Sequence, residues 1–278
     1  MTGQFKKMVL VVLDGLRPDA ITREAMPNLH GIARSGWQAA DALTVRPSVT
    51  VAALSSRATG VSPAVHGFTS PASAPVGRIT SLRPLPLELR RLGVETTVLI
   101  PQLGGAARWL AAALLRLGGV GRLVTAEPSP AQLMDAAVHQ LAGSPNRELM
   151  VLYLNDADVA GHAWGWMSAP YLQAVAALDR ALGQLVPFAQ EPDTLLIPTA
   201  DHGGGGVLAQ DHDHPPPVND RIPLILAGGR VMPGLVTDEP VRLLDIPPTV
   251  LNCFGGSAPA AYEGRAIHEA FMTELVWA

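Results

Sequence analysis

Short apolar runs rich in branched aliphatic residues recur along the chain, and each is bounded by Gly, Pro or Asp. Uninterrupted runs of this length are typical of strands that are buried on both faces of a parallel sheet. The pattern predicts five strands, at residues 8–14, 95–101, 148–156, 193–201 and 221–229.

Between these runs the apolar positions recur at helical spacing, most clearly at 172, 175, 178, 182 and 185. The predicted helices lie at 26–36, 51–60, 86–93, 131–143, 169–188 and 243–256. Strands that alternate with helices indicate an α/β fold, here a three-layer α/β/α sandwich with a mostly parallel central sheet. We find no internal repeat and no linker. We therefore expect one domain over 1–278, with residues 68–85 as a loop or small flap.

Composition narrows the function classes. Hydrophobic residues make up 48% of the chain, which is ample for a core. The net charge is −4, so the chain lacks the excess of basic residues with which proteins bind a nucleic-acid polymer. Lys6 and Lys7 are the only lysines, and this Ala-, Gly-, Pro- and Arg-rich usage is typical of a bacterium with a GC-rich genome. A homo-oligomer is left open.

The sequence indicates neither membrane insertion nor secretion. The apolar run at 8–13 follows two lysines, as in a signal peptide, but Asp14 ends it and no small-residue cleavage site follows. The apolar stretch near 109–115 is too short to span a bilayer. The single cysteine, Cys253, excludes a disulfide framework and a cysteine-based zinc site. We expect a cytoplasmic protein.

Acidic and histidine side chains follow three of the predicted strands. They are Asp14, Asp156, Asp158, His162, Asp201, His202, His212 and His214. Each has an ordinary alternative, such as a helix N-cap, a structural histidine or a solvated loop. Ligands of parallel sheets bind beyond the carboxyl ends of the strands, where these residues coincide. Carboxylates and imidazoles without thiolates suit zinc or a similar divalent metal.

Thr50 lies immediately before the predicted helix at 51–60, after Pro47 and Ser48. One interpretation is an N-cap, made by the hydroxyl of Ser48 or of Thr50. The other is a nucleophile beside the free amides of a helix N-terminus, which favour an anion such as phosphate. A hydroxyl needs a base or a metal to become an effective nucleophile, and the metal-type residues would supply one.

Several segments together resemble the alkaline phosphatase superfamily, most closely its type I phosphodiesterase/nucleotide pyrophosphatase branch, with phosphonoacetate hydrolase as a relative. They are VVLDGLRPD (11–19), MPNL (26–29), Thr50 with Thr59 and Gly60, SPAVHGF (62–68), DADVAGHAWG (156–165), TADHGG (199–204), VRLLDIPPTVL (241–251) and EGRAI (263–267). Each motif alone is weak. Their order along nearly the whole chain carries the resemblance.

The resemblance implies two divalent ions, usually zinc, with manganese as an alternative. It implies that one ion is bound by Asp158, His162 and a later histidine. It implies that the other is bound by Asp14, Thr50, Asp201 and His202, with Thr50 as a nucleophile that becomes phosphorylated.

The later histidine of the family lies about ten residues before a buried strand. His212 lies ten residues before Ile222 and His214 lies eight before it, so His212 is favoured and His214 is the alternative. Asp211 and Asp213 are then solvated or orient the imidazoles.

The chain departs from the family at the residues that bind phosphate. Ala53 stands where the nucleotide pyrophosphatases carry an asparagine three residues after the nucleophile, and no asparagine follows His66 and Gly67. The donor to a phosphate oxygen is then a hydroxyl at 69, 70 or 73, a backbone amide or Arg57, or the donor is missing.

The resemblance implies hydrolysis of a small phosphate ester, a phosphodiester or nucleotide pyrophosphate, through Thr50. The alternatives are a phosphomonoesterase or phosphonate hydrolase on the same site, and a metal-binding homologue that has lost catalysis. Cys253 lies in a predicted core helix and not at the nucleophile position, which argues against a sulfatase whose active residue derives from cysteine.

Overall fold

An eight-stranded sheet lies at the centre of the protein in the computed structural model, which describes residues 5–70, 81–127, 129–214 and 217–272. The strands of the described part are β1 Lys7–Leu13, β2 Trp37–Ala39, β3 Ala42–Leu43, β4 Glu95–Pro101, β5 Arg122–Ala126, β6 Glu148–Leu154, β7 Thr194–Thr199, β8 Arg221–Ile222, β9 Ile225–Gly228, β10 Leu235–Thr237 and β11 Val241–Arg242. The order across the large sheet is β10-β2-β9-β7-β1-β6-β4-β5, and β11-β3-β8 form a smaller sheet.

Strand β1 lies between two parallel neighbours, β6 and β7. Its side chains from Met8 to Leu13 are all buried, as expected for a strand that is covered on both faces. Strands β4 and β5 continue the parallel part, and β9 pairs antiparallel with β7 and β2. The carboxyl ends of β1, β6 and β7 therefore meet at one edge of the sheet.

The helices form two groups that accompany the sheet. They are α1 Pro27–Ser35, α2 Thr50–Thr59, α3 Pro63–His66, α4 Leu85–Arg91, α5 Gly105–Leu117, α6 Pro130–Gly143, α7 Asp156–Trp164, α8 Ala169–Leu182, α9 Pro217–Asp220 and α10 Ile246–Cys253, with 3-10 segments at Pro18–Ala20, Gly183–Gln190, Leu243–Asp245 and His268–Ala270. Helices α1, α6 and α7 contact α8, whereas α3, α4 and α10 contact α2. The prediction of an α/β fold with a mostly parallel central sheet is confirmed.

Most predicted elements lie within two residues of their observed bounds. The predicted strand at 221–229 is wrong as one element, because β8 and β9 belong to different sheets. The break falls at Pro223, which has no N–H to donate to a ladder. Helix α8 ends at Leu182 and continues to Gln190 as a 3-10 segment, since Pro187 cannot be accommodated in a regular helix.

Four of the described helices were not predicted, the short α3 and α9 and the longer α5 and α7. Helix α5 comes from an Ala- and Leu-rich stretch, and α7 starts at Asp156, the last residue of the strand predicted at 148–156. Of the predicted flap at 68–85, residues 71–80 lie outside the described part. The single-domain expectation stays a prediction. Among the described residues, every helix falls short of the length and apolarity that crossing a bilayer requires.

The MPNL segment has a structural role at the start of α1. The buried carboxylate of Asp179 accepts the Leu29 N–H at 2.8 Å on one oxygen, and the Asn28 N–H at 3.1 Å and its Nδ2 at 2.9 Å on the other. These backbone donors belong to the first turn, where no helical partner exists. Asp179 of α8 therefore caps α1 from a neighbouring helix, and its negative charge suits that end.

The C-terminal motifs LLDIPPT and EGRAI are joined in a similar way. Asp245 accepts the Arg242 N–H and the Arg265 N–H, both at 2.8 Å, and the Thr249 hydroxyl accepts the Ile267 N–H at 2.9 Å. Asp245 and Thr249 are buried. Asp245 and Thr249 thus hold the segment at 263–267 against α10, which is a structural role.

We expect Asp179→Ala to lower the free energy of unfolding by about 3 kcal/mol, because it leaves two first-turn amides without their acceptor and leaves the Asn28 side-chain amide only the backbone carbonyl of residue 179. Urea denaturation followed by circular dichroism measures the loss. Asp238→Ala, at an exposed position, is the control and should change stability by about 0.5 kcal/mol or less. Equal stability of both variants would contradict the capping role.

Candidate metal centre

Three segments deliver the predicted ligands to one edge of the sheet. Asp14 follows β1, Asp158 and His162 lie on α7 directly after β6, and Asp201 follows β7 with His202 next to it. The Asp14 N–H donates to Leu154 O at 2.8 Å, and the Asp158 N–H donates to Asp14 O at 3.1 Å. The second contact gives an acceptor to the first turn of α7 and binds the two carboxylate-bearing segments together.

Gly15 allows these segments to approach. Its φ is +69°, and a Cβ atom added there would lie 2.9 Å from Asp158 Cα. Its N–H lies 3.2 Å from Asp201 Oδ1 and donates to it. A residue with a side chain would be strained at this φ and would push Asp158 away.

The inner cluster consists of Asp14, Thr50, Asp201 and His202. His202 Nε2 lies 3.2 Å from Asp14 Oδ1, 3.2 Å from Thr50 Oγ1 and 3.6 Å from Asp201 Oδ2. The side chains of the two aspartates and of His202 are at most 2% exposed, and Thr50 is half-buried at the first position of α2. Solvent therefore reaches the inner cluster from the side of Thr50.

The outer cluster consists of Asp158, His162 and His212. His162 Nε2 lies 3.4 Å and His212 Nε2 lies 3.9 Å from Asp158 Oδ1. The His162 side chain is 47% exposed, whereas that of His212 is 9% exposed. The rings of His202 and His212 stack at 3.9 Å between centroids, so the two clusters are in direct contact. Ligand atoms of Asp158, His162 and His212 lie within 4.8 Å of one another, and so do those of Asp14, Asp158 and His202.

The three imidazoles are oriented by the same kind of hydrogen bond. Each Nδ1 lies at hydrogen-bond distance from a backbone carbonyl: His202 at 2.8 Å from Gly203 O, His162 at 3.0 Å from Gln210 O and His212 at 3.0 Å from Ser48 O. A carbonyl can only accept, so each Nδ1 carries a proton and donates. This assignment directs each Nε2 into the clusters, which is how metal-binding histidines are held in proteins.

Within the two clusters, three buried carboxylate oxygens lack a well-aligned donor among the described residues: Asp14 Oδ1, Asp158 Oδ1 and Asp201 Oδ2. Buried carboxylate oxygens without partners cost free energy, and a cation removes that cost. Carboxylate oxygens and imidazole nitrogens together form the donor set of zinc and of similar divalent ions. The residues present therefore fit divalent metal ions.

Comparison with known proteins agrees with this geometry. The family model described as type I phosphodiesterase / nucleotide pyrophosphatase matches residues 8–72. The model described as metalloenzyme superfamily matches residues 118–258, just over half of the chain. The chain belongs to the metalloenzyme superfamily.

A curated relative is the 2,3-bisphosphoglycerate-independent phosphoglycerate mutase of Cyanothece sp., 30% identical over 155 residues, which are 53% of this chain and 29% of the relative. The match thus spans less than a third of that protein.

Among solved structures, a protein in the alkaline phosphatase superfamily from Vibrio parahaemolyticus has a TM-score of 0.68 at 20% identity, covering 95% of this chain and 70% of that one. The phosphonate monoester hydrolase from Silicibacter pomeroyi has a TM-score of 0.64 at 14% identity, covering 94% and 76%. These two show the shared fold.

In this superfamily member, burial and charge shift the pKa values of the inner cluster. Burial and the charge of Asp201 raise the pKa of Asp14 to about 8. Burial alone would lower the pKa of His202, but Asp201 and Asp14 raise it to about 10. Burial and the nearby charge of His202 lower the pKa of His212. The polypeptide alone therefore holds protons in the inner cluster at neutral pH.

The alternative histidine lies away from the clusters. His214 is half-exposed, and its Nδ1 lies 3.0 Å from Asp211 Oδ2. Asp213 is exposed, with Oδ1 at 3.4 Å from His212 Nδ1. Asp156 begins α7, and burial raises its pKa. The structure thus brings His212, and not His214, to Asp158 and His162.

Arg57 lies behind the strand end rather than at the surface. Its guanidinium is buried and donates to Ala200 O at 3.1 Å, whereas its Nε and Nη1 are buried without a partner in the described part. Burial lowers the pKa of Arg57 to about 10, and Asp201 and Asp14 oppose that shift. Its side chain anchors α2 to the end of β7.

His66 has a structural role, because both of its ring nitrogens make hydrogen bonds next to α2. Its Nδ1 accepts the Phe68 N–H at 2.9 Å, so its Nε2 carries the proton and donates to Ser56 Oγ at 2.9 Å. With both ring nitrogens engaged, His66 closes the turn after the helix that starts at Thr50.

Three aromatic residues around the centre were missed by sequence analysis. The Tyr153 hydroxyl donates to Asp14 Oδ2, and Tyr171 and Trp166 donate to Gly15 O at 3.0 Å and 2.8 Å. Tyr153 is a polar-tipped residue in the otherwise apolar run of β6, which is a signal that could have identified it.

We expect His212→Ala to lose about one equivalent of bound metal, because it removes one nitrogen from a three-residue site. His214→Ala, the matched control two residues away, should keep the parental stoichiometry. Metal content after equilibrium dialysis against zinc measures both. Loss of metal in His214→Ala with full retention in His212→Ala would reverse the choice between them.

Metal uptake should release about one proton or more per protein at pH 7, because the inner cluster is protonated and a ligand must be deprotonated. Both raised pKa values lie above neutrality, so affinity should rise as the pH rises from 6 towards about 8. Calorimetric titration in buffers of different ionisation enthalpy counts the protons. Uptake without proton release at pH 7 would contradict the assigned protonation.

Proposed function

We propose that this protein is a two-metal hydrolase of phosphate esters, acting on phosphodiesters or nucleotide pyrophosphates through Thr50. The observation that carries the proposal is the 3.2 Å distance between Thr50 Oγ1 and His202 Nε2 at the N-terminus of α2. This distance places a hydroxyl among the residues that fit divalent metals. The resemblance and the matched family models support the same chemistry.

The inner cluster would hold one ion and the outer cluster the other. Zinc is the first choice, because the ligands are imidazoles and carboxylates, and manganese is the second. Bound ions would act as Lewis acids that stabilise the charge on the attacking and leaving oxygens of phosphoryl transfer.

The N-terminus of α2 provides donors for a phosphate. No side chain caps this helix, and the Ala53 N–H makes the bond to Val49 O, so the amides of Thr50, Val51 and Ala52 precede the first helical bond. Free amides at a helix N-terminus bind anions. They offer a physical replacement for the asparagine side chains that the chain lacks.

The reaction divides into two steps. Thr50 Oγ1 attacks phosphorus, the bond to the leaving oxygen breaks, and the phosphoryl group remains on Thr50. Water then attacks the phospho-threonine and restores the hydroxyl with release of phosphate or a phosphate monoester. Thr50 is half-buried and the His162 side chain is 47% exposed, which would leave the site open to substrate and water.

A phosphomonoesterase or phosphonate hydrolase on the same site is the second candidate. It is favoured by Ala53 and by the lack of an asparagine after His66, which remove the phosphate contacts typical of nucleotide pyrophosphatases. The similarity to a phosphoglycerate mutase also makes phosphate transfer to another acceptor an alternative reaction. An inactive metal-binding homologue is the third candidate.

Thr50→Ala should lower kcat by about 10³-fold or more on the preferred substrate, because it removes the proposed nucleophile. Thr50→Ser should keep substantial activity. Thr59→Ala, on the same helix but bonded to Ser55 O, is the control and should retain parental turnover. Rates on bis(p-nitrophenyl) phosphate, the p-nitrophenyl ester of thymidine monophosphate and p-nitrophenyl phosphate measure these effects.

The same three substrates separate the candidates. Faster turnover of the diesters supports the first function, and faster turnover of p-nitrophenyl phosphate supports the second. Full activity in Thr50→Ala would sink the nucleophile assignment. Two bound metals with no hydrolysis of any ester would favour the inactive homologue.

A further inference from the structure

The indole of Trp166 fills the space between the three ligand-bearing segments. A Cβ atom added at Gly161, one residue before His162, would lie 2.5 Å from the Trp166 ring. One added at Gly204, two residues after His202, would lie 2.1 Å from it. Both glycines are therefore needed to let the indole lie between α7 and the chain that follows β7.

The same indole contacts both histidines of the outer cluster. Its ring meets that of His162 at 5.1 Å between centroids and 79° between planes, and that of His212 at 5.8 Å and 77°. These are edge-to-face contacts, which restrict ring rotation. Each imidazole is thus held by a carbonyl at Nδ1 and by the indole beside it.

Trp166 is also bonded to the inner side of the centre. Its Nε1–H donates to Gly15 O at 2.8 Å, and the Gly15 N–H donates to Asp201 Oδ1. Its backbone N–H donates to Ala209 O at 2.8 Å, next to the carbonyl that orients His162. Trp166 is only 6% exposed, so these contacts are shielded from water.

We propose that Trp166 is a positioning residue for the outer metal site, holding His162 and His212 ready for a divalent ion and coupling them to the turn at Gly15. The inference rests on the metal sites of the proposed function. Residues that orient metal-binding histidines commonly affect metal affinity by about 10- to 100-fold.

Trp164 offers a matched control. It is the same residue type two positions away at the end of α7, and it is 66% exposed. Trp166→Phe keeps an aromatic ring but loses the donor to Gly15 O. Trp166→Leu loses both the ring and the donor. Trp164→Phe and Trp164→Leu repeat the changes at the surface.

The test is zinc binding to the full chain in competition with a chromophoric chelator, with the cobalt(II) absorption spectrum as a reporter of coordination geometry. In Trp166→Phe we expect one equivalent at parental affinity and the other weakened about 10- to 100-fold, with an altered cobalt spectrum. The Trp164 variants should match the parent. Cobalt should quench tryptophan fluorescence in the parent and in Trp164→Phe, and much less in Trp166→Phe.

Thermal melting of the metal-free variants separates positioning from folding. If Trp166→Leu does not fold, Trp166→Phe decides. Binding of both equivalents within about threefold of the parent in the folded Trp166 variants, with an unchanged cobalt spectrum, would overturn the proposal. His212→Ala in the same assay tests the site itself: if it also binds two equivalents normally, the metal assignment fails, and not only the role of Trp166.

Discussion

Mutual repulsion among three buried carboxylates is the constraint on which the rest of this structure depends. Asp14, Asp158 and Asp201 converge at one edge of the sheet, and each keeps a buried oxygen without a well-aligned donor. Such an arrangement is unfavourable in a protein interior unless positive charge is supplied. His202, protonated in the polypeptide alone, supplies part of that positive charge. Divalent metals meet this electrostatic requirement.

The protein stabilises that convergence with rigid neighbours. The parallel pairing of β1 with β6 and β7 fixes where the aspartates emerge, and the left-handed turn at Gly15 brings the backbone of one segment against another. Tyr153 and Trp166 then donate hydrogen bonds to Asp14 Oδ2 and to Gly15 O. Buried aromatic residues with polar tips thus supply hydrogen bonds to the polar groups around the site.

The sequence predicted the sheet and the ligand-bearing strand ends because both rest on local patterns. Apolar runs that end in Asp locate Asp14 and Asp201 directly. The predictions failed where tertiary contacts decide: α7 contains two aspartates and a glycine, which disfavour helix, yet its first turn is completed by the Asp14 carbonyl. Pro223 divided a predicted strand between two sheets. Trp166 was missed because its contacts with Gly15 and His212 join residues far apart along the chain.

The orientation of the three imidazoles has a consequence for how this centre tolerates change. Their acceptors are main-chain carbonyls of Ser48, Gly203 and Gln210, which no side-chain replacement can delete. Point substitutions at Ser48 and Gln210 leave the acceptor in place as long as the backbone keeps its path. At Gly203 a Cβ atom would lie 2.2 Å from Val218 O, so any side chain would displace the backbone there. Insertions or deletions in the same loops would displace the carbonyls and rotate the rings. The centre therefore depends on the path of these loops more than on the side chains at Ser48 and Gln210.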